Sequence, residues 1–211
     1  CRRSYRYFRI RQPDHYISIN PFFHSFGYKA GWLAALLRGA TVYQMAVFDV
    51  PAVLKAISTH QISVMPGPPT LFQSILMHPD RDAFDISSLK KATTGAATIP
   101  TQLIVAMRET LGIDTVITAY GLSETCGLVT MCRRGAAPDI IAKTSGRAIP
   151  EVEVGIMRHD GTLAPPDETG EIVVRGFNVM QRYFNNEQAT SETIDNPGGL
   201  HTGDILYLTH I

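Results

Sequence analysis

The sequence predicts an α/β chain, with a parallel sheet flanked by helices and then a small antiparallel β module. Three features lead there. Short β-rich runs alternate with helix-length segments through about Lys143, the rhythm of a parallel sheet with helical crossovers. Gly and Pro punctuate most of the junctions between them. After Lys143 the helical segments give way to β-rich runs separated by turn signals, as in hairpin-linked strands. The expected division is residues 1–143 and 144–211.

Each element has its own signal. Tyr16–Asn20 alternates as a strand does, Ala30–Arg38 reads as helix, and Thr41–Met45 is again β-rich. Pro51–His60 is expected to be helical with Pro51 at the first position, where the missing N–H costs nothing. Ile62–Met65 reads as a short buried strand, and Pro69 opens a helix through Leu76. Leu89–Thr93 is a strand ending at Gly95. Pro100–Leu111 is a helix with Gly112 as the residue that closes it. Thr115–Ala119 is the last strand of the alternating part. Beyond it, Glu153–Met157 and Glu171–Arg175 are β-rich and bracket turns at Asp160-Gly161 and Pro165-Pro166.

Composition narrows the function. An apolar share of 45% suits a globular core, and 19 basic against 19 acidic residues remove the electrostatic case for nucleic acid or a membrane surface. The opening run with Arg2, Arg3, Arg6, Arg9 and Arg11 is a local exception, read as a solvated helix face or as a phosphate contact. Cys1, Cys126 and Cys132 lack the spacing of a zinc site or a disulfide framework and are expected reduced, which points to the cytoplasm. The most apolar stretch, Trp32–Leu37, is too short to span a bilayer. With no starting Met and no signal-peptide pattern, the chain is expected to be an internal piece of a longer protein.

Four segments place functional residue types where a strand ends or a loop turns, the edge at which α/β sheets bind ligands. Pro21–Gly27 sets His24 among Phe22, Phe23 and Phe26, an apolar wall able to shelter a reactive acyl group or simply a core cluster. Thr94–Thr98 is rich in small residues, which allow close backbone approach to a flat ligand and also suit a tight turn. Thr118–Thr125 is denser. Tyr120 offers a ring face to a purine, Ser123 a hydroxyl to a phosphate, and Glu124 a hard carboxylate to Mg²⁺. A helix cap would explain Ser123 but not the whole octet. Gly199–Asp204 carries a carboxylate flanked by Gly, suited to the two hydroxyls of a ribose, though Thr-Gly-Asp is also a common turn.

The ordered series PFFHSFG, TGAATIP, TAYGLSET, GEIVVRGFNVMQRYFNN and GLHTGDI resembles the large N-terminal domain of the acyl-adenylate-forming superfamily. That superfamily comprises acyl-CoA synthetases, peptide-synthetase adenylation domains and firefly luciferase, and the likeness runs over nearly the whole chain. It implies that the β-rich end is part of a β-barrel subdomain. It also implies that His24, Phe26, Gly121 and Leu122 lie at the acyl group and that Gly95, Ala96 and Ala97 line the adenine. Tyr120 would stack on the base, and Thr118 and Gly121 would also belong to the nucleotide site. Ser123 would face the α-phosphate, Glu124 would hold Mg²⁺, and Asp204 would bind the ribose. The catalytic set carried over is His24, Ser123 and Glu124, and Tyr120, Ser123, Glu124 and Asp204 are expected to converge on one mononucleotide.

The implied reaction joins a carboxylic acid to AMP, expelling pyrophosphate from ATP, and a thiol, usually coenzyme A, then displaces AMP. No Asp follows closely on the His24 segment, the first acidic residue being Asp49, so an acid without an ammonium group is expected. Aromatic residues around His24 favour a fatty or ring-derived acid. Alternatives are an adenylating loading domain without a CoA step, a non-catalytic nucleotide-binding domain, and a light-emitting oxygenase. Departures from the family pattern are Ser123 in place of Thr, Arg182 where Gly is common, and a tail that drifts after Leu206. Similar enzymes carry an upstream phosphate-wrapping loop and a downstream lysine-bearing domain. Neither is in this sequence, so the chain alone is expected to be inactive and to self-associate through truncated surface.

Overall fold

A computed structural model describes residues 9–196 and 198–209, so the cysteine at position 1 and the first three arginines of the opening run lie outside the described residues. Packing divides the chain into two compact units, Cys1–Tyr120 with Thr130–Arg147, and Gly121–Val129 with Ala148–Ile211.

The first unit is built on the expected parallel sheet. Strands β1 (His15–Ser18), β2 (Thr41–Gln44), β3 (Val64–Pro66), β4 (Lys91–Thr94) and β5 (Thr115–Tyr120) run parallel in the order β2-β1-β3-β4-β5. β6 (Thr130–Met131) pairs antiparallel with β5, and β7 (Arg147–Ala148) follows it in the sheet. Burial explains the sequence patterns. β3 is wholly buried and reads as an uninterrupted apolar run, whereas edge strand β2 exposes Thr41 and Gln44 at its two ends. Helices α3 (Val50–His60), α4 (Pro69–Met77) and α5 (Thr101–Glu109) make the crossovers, each burying an apolar stripe that includes Leu54, Phe72 and Ile104.

Departures from expectation have local causes. The helix expected over Ala30–Arg38 is instead α1 (Ser25–Gly27), a wide π-type turn (Tyr28–Leu33) kinked at Gly31, and α2 (Ala34–Leu37). The Tyr16 hydroxyl donates to the Ala30 carbonyl and so competes for an acceptor of the helical ladder. α3 starts one residue early because the Asp49 carboxylate accepts from the Ala52 N–H at 2.9 Å, which puts Pro51 second rather than first. β3 starts late because the Ile62 N–H is drawn back to the Ile57 carbonyl at 3.2 Å, closing α3. α5 ends at Glu109, and Gly112 beyond it takes the expected left-handed conformation at φ +66°. α6 (Pro138–Lys143) has no counterpart among the expected elements.

An ion pair holds the amino end of this sheet together. Asp14 accepts from Lys91 Nζ at 2.6 Å, from Ser63 Oγ at 2.9 Å and from the Arg11 N–H at 2.9 Å, and both charged groups are largely buried.

The second unit contains β8 (Val152–Met157), β9 (Gly170–Gly176) and β10 (Leu200–Leu206), an antiparallel sheet in the order β10-β9-β8. α7 (Glu187–Thr193) is a further unexpected helix, capped by Asn186 Oδ1 accepting from the Ala189 N–H at 3.0 Å. The pairing of β9 with β10 is interrupted. His201 faces Val173 and Ile205 faces Glu171, so residues 202–204 stand opposite Ile172 alone. The Thr-Gly-Asp triplet is therefore a bulge within a strand and not a turn.

Candidate functional site

Parallel strands bring their carboxyl ends to one edge, and in the first unit that edge carries four of the loops singled out by sequence or next to them. Pro21–Gly27 follows β1, Pro66 ends β3 with Gly67 after it, Gly95–Thr98 follows β4, and Tyr120 ends β5. Asn20 Nδ2 donates to the Pro66 carbonyl at 3.2 Å, tying the ends of β1 and β3 at the point where strand order reverses.

Within this edge the structure brings some candidates together and separates others. Thr94 registers against Thr118, and a Cβ on Gly95 would stand 3.2 Å from the Ala119 carbonyl oxygen and 3.6 Å from Thr118 Oγ1. Gly95 and Thr118 are thus neighbours, with half-buried Tyr120 closing the strand. Ala96, Ala97 and Thr98 are exposed beyond them, Ala96 in the left-handed region at φ +62°. The Thr94 hydroxyl is buried without a partner. His24 and Phe26 lie on the β1 side, with β3 between them and β4. His24 is not a packed core residue. It is exposed and caps α1, its Nδ1 accepting from the Phe26 N–H at 3.1 Å.

Past Tyr120 the chain enters the second unit, so the octet of the third segment is shared between units. Gly121 is required for close approach, since a Cβ there would stand 2.5 Å from backbone atoms of Gly127 and Leu128. Ser123–Thr125 forms one tight helical turn, with Ser123 exposed. Buried Thr125 closes the turn through Oγ1, which pairs with both the N–H and the carbonyl of Leu122 at 3.0 Å. Asn178, also buried, donates to the Leu128 carbonyl at 2.7 Å and the Thr125 carbonyl at 3.3 Å. The loop bearing Glu124 is therefore held by side chains on both sides.

Glu124 Oε1 accepts from the Tyr183 hydroxyl at 2.9 Å, and that bond, with burial and the carboxylate charge, pushes the Tyr183 phenol up. Leu122, Glu124 and Tyr183 line a cavity of about 340 Å³ with Glu171, Glu192, Thr193 and Leu200–Gly203. Asp204 is exposed at the bulge, next to the Thr202-Gly203 wall of that cavity. Among the described residues no group of three or more His, Cys, Asp or Glu could hold a metal ion. The oxygen donor of Glu124 nevertheless fits Mg²⁺, which characteristically takes one or two carboxylates and completes its shell with water and substrate phosphates.

Behind the bulge lies a charge cluster whose roles sequence reasoning did not assign. His201 Nδ1 bonds Glu171 Oε2 at 2.9 Å, Glu171 Oε1 accepts from the Gly203 N–H at 2.9 Å, and His201 Nε2 is 3.9 Å from Asp195. Burial opposes ionisation of Glu171, but the bonds to His201 and Gly203 outweigh it and hold its carboxyl below the usual range. The Gly199 N–H, with Arg175 and His201, does the same for Asp195. Groups depressed in the folded state stabilise it fully above their ordinary values of 4.5 and 3.8, and that contribution is lost as pH falls through the depressed ones. Protection of the β9 and β10 amides, measured against the intrinsic exchange rate at each pH, should therefore fall below about pH 4. Unchanged protection down to about pH 2 would contradict it.

A family model described as AMP-binding enzyme matches residues 1–184. The chain belongs to the AMP-binding enzyme family. Within this family it is 52% identical over 93% of its length to 3-[(3aS,4S,7aS)-7a-methyl-1,5-dioxo-octahydro-1H-inden-4-yl]propanoyl:CoA ligase of Rhodococcus jostii, covering 36% of that protein. It is 48% identical over 93% of its length to the enzyme of the same name from Mycobacterium tuberculosis, covering 37%. This member of the family thus spans little more than a third of the curated relatives it matches. Its fold superposes on O-succinylbenzoate coenzyme A synthetase of Bacillus subtilis in complex with AMP, at TM-score 0.83 and 30% identity, covering 98% of this chain and 41% of the other. No helix of the described residues is long and apolar enough to cross a membrane.

Proposed function

We propose that this chain is the adenosine- and magnesium-contacting part of an AMP-forming carboxylate–CoA ligase acting on a hydrophobic, ring-derived acid. The observation that carries the reading is the Glu124 carboxylate, held by Tyr183 on a doubly anchored loop and opening into a cavity bounded by Thr202-Gly203. Similarity to two ligases of a ring-derived propanoyl substrate supports the substrate class.

A free carboxylate is a poor acyl electrophile. Attack of its oxygen on the α-phosphorus of ATP releases pyrophosphate and leaves AMP as a good leaving group. The CoA thiol then attacks the acyl carbon, and AMP departs with the bonding pair. Catalysis of the first step is mostly positioning and charge stabilisation. Gly95, Ala96 and Ala97 offer backbone to the adenine and Tyr120 offers its ring, while Thr118 supports the strand end beneath. Gly121 and Leu122 are assigned to the acyl group, as are His24 and Phe26. Ser123 donates its hydroxyl to an α-phosphate oxygen, and Asp204 accepts from the ribose hydroxyls. Magnesium, when held by Glu124 and the phosphates, supplies neutralisation of the charge that builds on the transferred group.

Pyrophosphate release by the full-length protein across a panel of carboxylic acids tests this. Ring-derived hydrophobic acids should give the highest rates, and release with no acid in the panel would overturn the reading. The 211-residue chain by itself is expected to form no acyl-AMP, because about two thirds of its relatives' length lies beyond it. Acid-dependent acyl-AMP from the purified chain would refute that expectation.

A further inference from the structure

The bulge that carries Asp204 is an unstable way to present a carboxylate unless something holds it. Three residues stand opposite one, which takes the Gly203 N–H out of the strand ladder, and Gly203 adopts φ +74°. Three contacts replace the lost pairing. Thr202 Oγ1 donates to the Ile172 carbonyl at 2.8 Å and accepts from the Asp204 N–H at 3.2 Å. The third is the Glu171 carboxylate, which bonds His201 at the entrance of the bulge through one oxygen and Gly203 in its middle through the other.

An ionised carboxylate has no proton to give, so His201 must donate through Nδ1, which fixes its tautomer and turns Nε2 toward Asp195 at 3.9 Å. Asp195 is itself held by the Gly199 N–H at 2.5 Å and by Arg175 at 3.4 Å. Glu171 is about a quarter exposed, so filling the core does not explain its presence.

We infer that Glu171 is a positioning residue for nucleotide capture, clamping His201 and the Gly203 amide so that the bulge holds Asp204 where a ribose can be bound. The inference rests on the reading of Asp204 as the ribose ligand. Glu171 acts on the nucleotide only through the bulge, so its loss should weaken binding without slowing the chemical step.

The test is titration calorimetry of AMP on the full-length protein, alongside ATP-dependent pyrophosphate release. Glu171→Ala should raise the AMP Kd and the ATP KM about tenfold, the size of one lost charge-assisted hydrogen bond, with kcat within about threefold. Glu171→Gln keeps an oxygen for the Gly203 N–H and should recover most of the affinity. A double-mutant cycle with Asp204→Ala should be strongly non-additive, because Glu171 has little left to position once Asp204 is gone. Melting curves of Glu171→Gln and Glu171→Ala control for folding. If Asp204→Ala weakens AMP but Glu171→Ala does not, or if their effects add, the positioning role is wrong and the ribose reading survives. If Asp204→Ala leaves AMP affinity unchanged, the ribose reading fails and this inference fails with it.

Discussion

Replacing Glu124 with Gln in the full-length protein should lower pyrophosphate release about 10³-fold, the scale on which enzymes lose rate when one preorganised charge contact is removed. Gln keeps the side chain's size and still offers an oxygen to the Tyr183 hydroxyl, which sits 2.9 Å from Glu124 Oε1. The backbone should hold as well, because the Met180 N–H bonds the Glu124 carbonyl at 2.7 Å whatever the side chain. What the change removes is the negative charge. An amide oxygen is a far weaker partner for Mg²⁺ than a carboxylate, so the concentration of magnesium needed for half-maximal rate should rise steeply in the variant. Steady-state rates against magnesium concentration give both quantities. A variant within about threefold of the parent at every magnesium level would take Glu124 out of the chemistry.

The largest expected loss of stability lies at the amino end of the parallel sheet. Asp14→Ala should destabilise the fold by about 3–5 kcal/mol, because it strands a largely buried ammonium. Lys91 Nζ would keep the Arg9 carbonyl at 3.0 Å but lose its counter-charge at 2.6 Å, and the Ser63 hydroxyl and the Arg11 N–H would lose an acceptor. The double variant Asp14→Leu/Lys91→Met should recover much of that loss, since apolar replacement of a whole buried pair is often close to neutral. Urea denaturation of the three proteins separates the cases. A cost under about 1 kcal/mol for Asp14→Ala would mean that water reaches the pair and screens it.

Neither Asp14 nor Lys91 stood out in the sequence, and the reason is separation along the chain. An ion pair between residues 77 positions apart leaves no local trace. The same holds for Tyr183 on Glu124, and for Asn178 beneath the loop that bears it, 59 and 50 positions away at the distances bonded. The Asp49 cap is different. Asp followed by Val-Pro is a legible helix start, and weight placed on Pro51 alone displaced the boundary by one residue. α6 and α7 begin with good signals too, Pro138 and Asn186, but each spans fewer than two helical repeats and offers little periodicity to read.

By itself the sequence determined the alternation of strands β1 to β5 with helical segments, the antiparallel character of the second unit, and the family. Those follow from hydrophobic period, turn residues and ordered motifs, all of which are local. Tertiary structure decided which side chains serve those motifs. It made His24 an exposed helix cap, turned Thr-Gly-Asp into a strand bulge, and set Glu171 behind that bulge as its clamp. The bulge and its clamp depend on the register of β10 against β9, with His201 and Glu171 30 positions apart, and a register shift of one residue would send Glu171 to the other face.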